Sequence, residues 1–218
     1  MNINSIFSSI NGEVSYLGQG SLCTFIRVQG CNLRCSYCDT IHAQEVKLGT
    51  EMTINDIIKI VEGLGSKNVT ITGGEPLFQR VDLIKLTKAL KKKDPKYVIS
   101  VETNGSISIP HSIDSIDCWI ADWKTVSSGM GGKMQYSHFE NLMDYDFVKF
   151  VIKDRFDFED ALNFIVKTKA LFNPRYAFSP MYDVMPADIL VDWMQNSSIC
   201  VDANAILNMQ LHKIISVA

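Results

Sequence analysis

The sequence predicts an α/β fold built on a mostly parallel sheet, open or curled towards a barrel. Two observations predict it. Short apolar runs rich in β-branched and aromatic residues alternate along the chain with segments of helical period. Several of these runs are apolar almost throughout, the pattern of strands covered on both faces. No repeat, low-complexity segment or Pro/Gly/Ser linker interrupts the 218 residues, so one domain is expected over residues 1–218.

Taken in order, Leu22–Val28 is the first expected strand. Thr53 then caps a helix with Asp56 in its first turn; Ile54, Ile57, Ile58, Val61 and Leu64 form its apolar face, and Gly65 stops it. Val69–Thr72 is a strand running into the Gly73-Gly74 turn, and a second helix runs from about Val81 to Lys93, ending before Pro95. Tyr97–Val101, Cys118–Ala121 and Phe147–Ile152 follow as strands. A third helix is expected from Asp157, with Phe158, Ala161, Leu162 and Ile165 on one face. Arg175–Phe178 is a strand, and Pro186 opens a fourth helix through Trp193. In parallel sheets of this kind, sites gather at the carboxyl ends of the strands.

Composition narrows the function. Hydrophobic residues at 46% and charged residues at 21% are ordinary globular values, and a net charge of −3 offers no basic surface for nucleic acid or an anionic membrane. No apolar run approaches the roughly 18 residues of a membrane span, and the start, Met1 to Phe7, lacks the basic and apolar regions of a secretory signal. The expectation is a cytoplasmic protein with neither nucleic-acid nor membrane partners. That compartment is reducing, so the six cysteines point to metal or redox chemistry before disulfides. Cys23, Cys118 and Cys200 each lie in an apolar stretch and read as buried, inert thiols.

Cys31, Cys35 and Cys38 are different. Their C-x3-C-x2-C spacing follows directly on the Leu22–Val28 strand and places them on a strand-end loop. Three clustered thiolates can hold three irons of a [4Fe-4S] cluster and leave the fourth open, whereas electron carriers commonly use four. A zinc site with His42 as fourth ligand is an alternative. So is a buried helical stripe, since the positions are i, i+4 and i+7; the polar or small Gly30, Asn32, Arg34 and Asp39 around them speak against it.

This loop, with Tyr37 just before the last cysteine, resembles the signature of radical S-adenosylmethionine enzymes. The resemblance implies a small, incomplete (β/α) barrel, a [4Fe-4S] cluster on Cys31, Cys35 and Cys38, and S-adenosyl-L-methionine on the open iron. A second stretch in the right order, Gly73-Gly74-Glu75-Pro76, resembles the family's glycine-glycine-glutamate motif, which implies Gly73, Gly74 and Glu75 at the methionine amino end of the cofactor. Alone, such a turn is only a place where backbone can be closely approached. Val101-Glu-Thr-Asn-Gly105 ends a further strand in polar groups and resembles a threonine-asparagine-glycine stretch of the family. Asp122 and Lys124, two apart on a strand, point to one face. By themselves they read as a surface ion pair; with the resemblance, Asp122, Trp123 and Lys124 are cofactor neighbours. Ser179, Pro180, Met181 and Tyr182 are implied in the same way, as are Tyr37, Cys38 and Asp39.

Flanking segments resemble one member family, 7-carboxy-7-deazaguanine synthase. They are Phe7 to Gly18, Thr24 to Cys31, Cys38-Asp39-Thr40, Val126 to Met130, and Met209-Gln-Leu-His-Lys213 with the tail to Ala218. The resemblance implies a pterin substrate, 6-carboxy-5,6,7,8-tetrahydropterin, with Ile10, Asn11 and Gly12 against its ring. It implies Arg27 on its carboxylate, a role suited to a planar fork of donors. It also implies Thr40 on a Mg²⁺, Thr72 on substrate, Gly74 on cofactor, and the Ala218 carboxylate reaching substrate. Read as chemistry alone, Arg27 is a strand-surface ion pair and Thr40 a helix cap. A homodimer and an electron donor such as flavodoxin or ferredoxin belong to the same implication. Two positions depart from the family pattern: Val14 stands where a second glycine is common, and Asp122–Lys124 is serine-proline-lysine in some members. The competing functions are an activase that makes a glycyl radical on a partner protein, which shares the cysteine spacing, and a non-enzymatic zinc module.

Overall fold

The computed structural model describes residues 1–111 and 113–217. Among these, nine strands form one sheet in the order β3-β1-β2-β4-β5-β6-β7-β8-β9. They are β1 (Asn2–Ile10), β2 (Leu22–Val28), β3 (Thr50–Glu51), β4 (Asn68–Gly73), β5 (Val98–Thr103), β6 (Cys118–Trp123), β7 (Phe147–Ile152), β8 (Arg175–Pro180) and β9 (Ile206–Leu207). From β2 through β9 every neighbouring pair is parallel; β1 runs antiparallel to both β2 and β3. The end strands β3 and β9 are not neighbours, so the barrel is incomplete.

Helices α1 (Ile54–Leu64), α2 (Arg80–Lys93), α3 (Arg155–Thr168) and α4 (Ala187–Gln195) follow strands, and the short α5 (Ser198–Asp202) and α6 (Leu211–Ile214) complete the chain. Thr53 caps α1 by accepting from Asp56 N, and Gly65 ends it at φ 82°, as its sequence requires. Helix α3 starts earlier than its apolar period suggests. Asp154, not Asp157, is the cap, accepting from the backbone N–H of Phe156 and Asp157. The Asp157 carboxylate instead accepts from Ser127 N and Lys153 N, both at 2.9 Å. The strands β5, β6 and β8 run two residues beyond their expected ends, and β4 one, into the motifs themselves.

The period of two along each strand makes the architecture. On β6, Trp119, Ala121 and Trp123 pack outward into the main core under the helices, while Cys118 and Ile120 face the concave side. On β7 the outward set is Val148, Phe150 and Ile152, and Phe147 faces inward. The segment after β1 folds into the concavity: Val14 packs with Cys118, Ile120, Phe147 and Ala177, closing the amino-terminal end of the half-barrel. Asn11 locks this plug, its Oδ1 accepting from Thr70 Oγ1 at 2.7 Å and its Nδ2 donating to Ser21 Oγ at 3.0 Å. The concavity is thus filled below and open above, at the carboxyl ends of the strands.

Candidate active site

Above the plug lies a cavity of about 490 Å³. Its floor and walls include inward-facing positions near the carboxyl ends of five strands: Arg27 on β2, Thr72 on β4, Glu102 on β5, Asp122 on β6 and Lys149 on β7. Arg27 pairs with Thr72 across β2–β4, and Asp122 with Lys149 across β6–β7.

Cys31, Cys35 and Cys38 all line this cavity, each half-buried, on the loop that leaves β2. The loop is held by backbone: Gly30 N donates to Ala43 O, Cys31 N to Gln44 O and Cys38 N to Cys35 O. Cys31 Sγ accepts from Leu33 N at 3.4 Å and from Asn104 Nδ2 at 3.6 Å. Such N–H donors favour a thiolate and tune a cluster bound to it. Burial raises the Cys35 thiol, with the Lys124 ammonium opposing it. Among the described residues no three His, Cys, Asp or Glu side chains converge on one ion position. A four-iron cluster takes one thiolate per iron, so its ligands need not converge as those of a single ion do. The donor set fits three irons of a [4Fe-4S] cluster.

Gly73 and Gly74 border the cavity beside this loop. Gly73 has φ 129°, and a methyl group on it would lie 2.3 Å from Val28 O; one on Gly74 would lie 2.1 Å from Gly30 O. Only glycines let the two loops meet. Glu75 is fully buried and turned away from the cavity: Oε1 accepts from Leu77 N and Thr103 Oγ1, both at 2.8 Å, and Oε2 from Asn104 N at 2.6 Å. Burial raises its carboxyl to about 7 against those hydrogen bonds. Glu75 therefore ties the diglycine turn to the end of β5. Tyr37 reaches the cavity with its hydroxyl buried and without a partner among the described residues, and burial lifts that phenol to about 12. An unpaired buried hydroxyl beside a diglycine edge and a cysteine loop fits a polar cofactor such as S-adenosyl-L-methionine.

Asp122, Lys124, Lys149 and Glu13 form a buried chain of charges. Lys124 Nζ is 2.5 Å from Asp122 Oδ2, Lys149 Nζ is 3.2 Å from Asp122 Oδ1, and Lys149 also pairs with Glu13. Burial opposes the charged form of Asp122, but the two lysines hold its carboxyl below the usual range. The carboxylates in turn hold both ammonium groups above theirs despite burial. Glu102 beside them accepts from Thr72 Oγ1 at 2.6 Å; burial raises its carboxyl, with Lys149 opposing and Glu13 assisting.

Two residues beyond Cys38, Thr40 Oγ1 accepts from Arg27 Nη1 at 3.3 Å, and the Arg27 guanidinium lies over the Phe7 ring, which stacks on Phe25. Thr40 precedes a short 3-10 turn but caps nothing; its hydroxyl donates to Asp39 Oδ1 at 2.9 Å. A hydroxyl beside a carboxylate suits Mg²⁺, which takes oxygen ligands.

Of the residues singled out in the sequence, Ile10, Gly12, Arg27, Tyr37, Asp39, Thr40, Thr72, Gly73, Gly74, Asp122, Lys124, Met181 and Tyr182 border this one cavity with the three cysteines. Asn11 faces the plug, and Ser179 is engaged by Asn208 Nδ2 at 2.7 Å, with Pro180 buried beside it. Trp123 points to the opposite face of β6, stacked on Tyr136 at 5.0 Å and bonded to Asp160. Ala218 lies outside the described residues. Glu13, Glu102 and His212, which lie in motif segments quoted above without a role of their own, line the cavity too, as does Lys149, which lies in none of them. Lys149 stood as a lone charge in Phe-Val-Lys-Phe-Val-Ile, which is the signal that could have found it. Cys23, Cys118 and Cys200 are buried outside the cavity, and burial raises each thiol.

The family model for the radical SAM superfamily matches residues 25–117, the stretch that carries both the three-cysteine loop and the diglycine turn. The protein is a radical S-adenosylmethionine enzyme. The chain is 35% identical to the 7-carboxy-7-deazaguanine synthase of Clostridium acetobutylicum over 96% of its length and 93% of that protein. It is 32% identical to that of Chlorobaculum tepidum over 99% and 94%. It therefore belongs to the 7-carboxy-7-deazaguanine synthase family. The crystal structure of QueE from Escherichia coli shares the fold at TM-score 0.72 and 23% identity, covering 95% of this chain and 92% of that one. Among the described residues no helix is long and apolar enough to cross a membrane.

Proposed function

We propose that the whole chain, acting as one domain, converts 6-carboxy-5,6,7,8-tetrahydropterin to 7-carboxy-7-deazaguanine with loss of ammonia, a ring contraction in the making of 7-deazapurines such as queuosine or archaeosine. The observation that carries this reading is a single cavity lined by both the three cysteines and the Arg27–Thr40 pair that adjoins them. When bound, a reduced [4Fe-4S] cluster with S-adenosyl-L-methionine supplies a 5′-deoxyadenosyl radical in that cavity. Cys31, Cys35 and Cys38 would hold the cluster, and Tyr37, Gly73, Gly74 and Lys124 the cofactor.

The chain's own contribution is placement. Arg27, pinned between Thr40 and the Phe7 ring, presents its guanidinium fork to a substrate carboxylate. Thr40 and Asp39 would hold a Mg²⁺ that shares that carboxylate. Thr72 and Glu102, already hydrogen-bonded to each other, offer a hydroxyl and a carboxylate to the edge of a pterin ring. The ring itself sits against Ile10, Gly12, Phe7 and Phe25, which exclude water. The lysines of the buried charge chain keep Asp122 ionised, so its charge faces the cavity throughout.

We read the protein as cytoplasmic, homodimeric and reduced by a donor of the flavodoxin or ferredoxin kind. Anaerobic purification tests the cluster: brown protein with about four irons per chain is expected, and a colourless zinc protein contradicts it.

A further inference from the structure

The residues after β9 cross the mouth of the cavity with little apolar burial of their own. Ile214, Ile215 and Val217 are exposed, and none of α6 is buried. The segment is held by polar ties to three separate loops. Leu211 N donates to Gly12 O at 2.9 Å, and Gln210 Nε2 to Glu13 Oε1 at 2.8 Å, fixing it to the turn after β1. A methyl group on Gly12 would lie 2.0 Å from His212 Nδ1, so that turn is shaped to receive the segment. The third and fourth ties converge on one side chain. Lys213 Nζ is 2.8 Å from Asp39 Oδ2, on the cluster loop, and 5.5 Å over the Tyr182 ring, on the loop after β8. Its own Gln210 Oε1 braces it at 3.0 Å.

Resting on the substrate reading above, we infer that Lys213 is a positioning residue, the latch that holds the carboxyl-terminal segment closed over a bound substrate by bridging the cluster loop and the β8 loop. Asp39 and Tyr182 both line the cavity, on loops that follow different strands, so one ammonium ties the two loops together. Entry of a ring-sized substrate requires the segment to lift, and its binding is reduced by whatever fraction of molecules is open. The latch works through Asp39 and Tyr182, not by touching the reacting atoms. Being partly exposed at both ends, it is sensitive to salt.

The test uses reconstituted holoenzyme. In Lys213→Met, amide exchange of residues 209–217 should accelerate and KM for the carboxypterin rise about three- to tenfold, kcat staying within about twofold. Iron content should not change. Lys213→Arg should restore both readouts, and about 0.5 M salt should raise the wild-type KM but not that of Lys213→Met. Asp39→Asn, read by exchange alone, should loosen the same segment. Wild-type exchange in Lys213→Met, or a fall in kcat at unchanged KM, overturns the latch. Exchange needs no substrate: a loosened segment in a protein whose wild type ignores the carboxypterin refutes the substrate reading and leaves the latch standing.

Discussion

Replacing Glu75 by glutamine isolates the tie between the diglycine turn and β5. The carboxylate accepts three hydrogen bonds, two on Oε1 and one on Oε2 from Asn104 N. Glutamine can keep the Oε1 pair but turns an NH₂ towards Asn104 N–H, leaving a buried donor facing a donor. That costs about 1–3 kcal/mol. The wild-type carboxyl carries its own cost, because burial raises it from 4.5 to about 7. A group with a raised folded value lends stability below its unfolded value, and that stability is lost as pH rises through the folded one. Across this window the wild type gives up about 3 kcal/mol, at 1.36 kcal/mol for each unit. Glutamine does not titrate. The variant should therefore be the less stable protein near about pH 5.5, and the gap should close or reverse by about pH 8. Urea unfolding followed by tryptophan fluorescence, on both proteins at matched iron content, measures the gap directly, because all other titrations cancel. A gap of constant size over that range would refute the reasoning. It would mean that the three hydrogen bonds outweigh burial and keep Glu75 ionised throughout.

Other perturbations separate the parts of the site. Arg27→Met should lower kcat/KM for the carboxypterin about a hundredfold, the loss of a charge-assisted pair, while cleavage of S-adenosyl-L-methionine by the reduced protein persists; equal loss of both would place Arg27 elsewhere. Cys35→Ala should abolish iron loading, whereas Cys23→Ala and Cys200→Ala should leave iron and the brown absorbance unchanged, as metal analysis will show. Lys149→Met should destabilise the fold by about 3–5 kcal/mol, since Asp122 and Glu13 lose their shared buried partner, and Lys149→Arg should recover part of this in the same unfolding assay. Gly12→Ala should displace His212 and speed amide exchange in residues 209–217 without altering iron content.

The parts of this molecule that were legible in the sequence are those whose information is local. Apolar runs and a cap such as Thr53 announce themselves over a few residues, and so do the motifs that end the strands. What was hidden depends on distant partners. Strand β1 alternates polar and apolar residues too loosely to declare itself, because its two neighbours are β2 and the two-residue β3. Glu102 and Lys149 are buried charges made tolerable by Thr72, Glu13 and Asp122, which come from other strands and the β1 turn. Trp123 shares a motif with Asp122 and Lys124, yet the two-residue period sends it to the helices. Glu75 reads as a carboxylate offered to a cofactor beside the glycines; only the fold shows Thr103 and Asn104 closing over it. The mouth of the cavity is assembled from residues 12, 39, 182 and 213, a set that no window along the chain contains.

The central claim is that one cavity joins the cysteine loop to a carboxypterin site. Anaerobically reconstituted protein, reduced and given S-adenosyl-L-methionine, Mg²⁺ and 6-carboxy-5,6,7,8-tetrahydropterin, should yield 7-carboxy-7-deazaguanine by mass together with an equivalent of ammonia. An intact cluster that cleaves S-adenosyl-L-methionine but leaves the carboxypterin unchanged, and instead places a radical on a glycine of a partner protein, would contradict it.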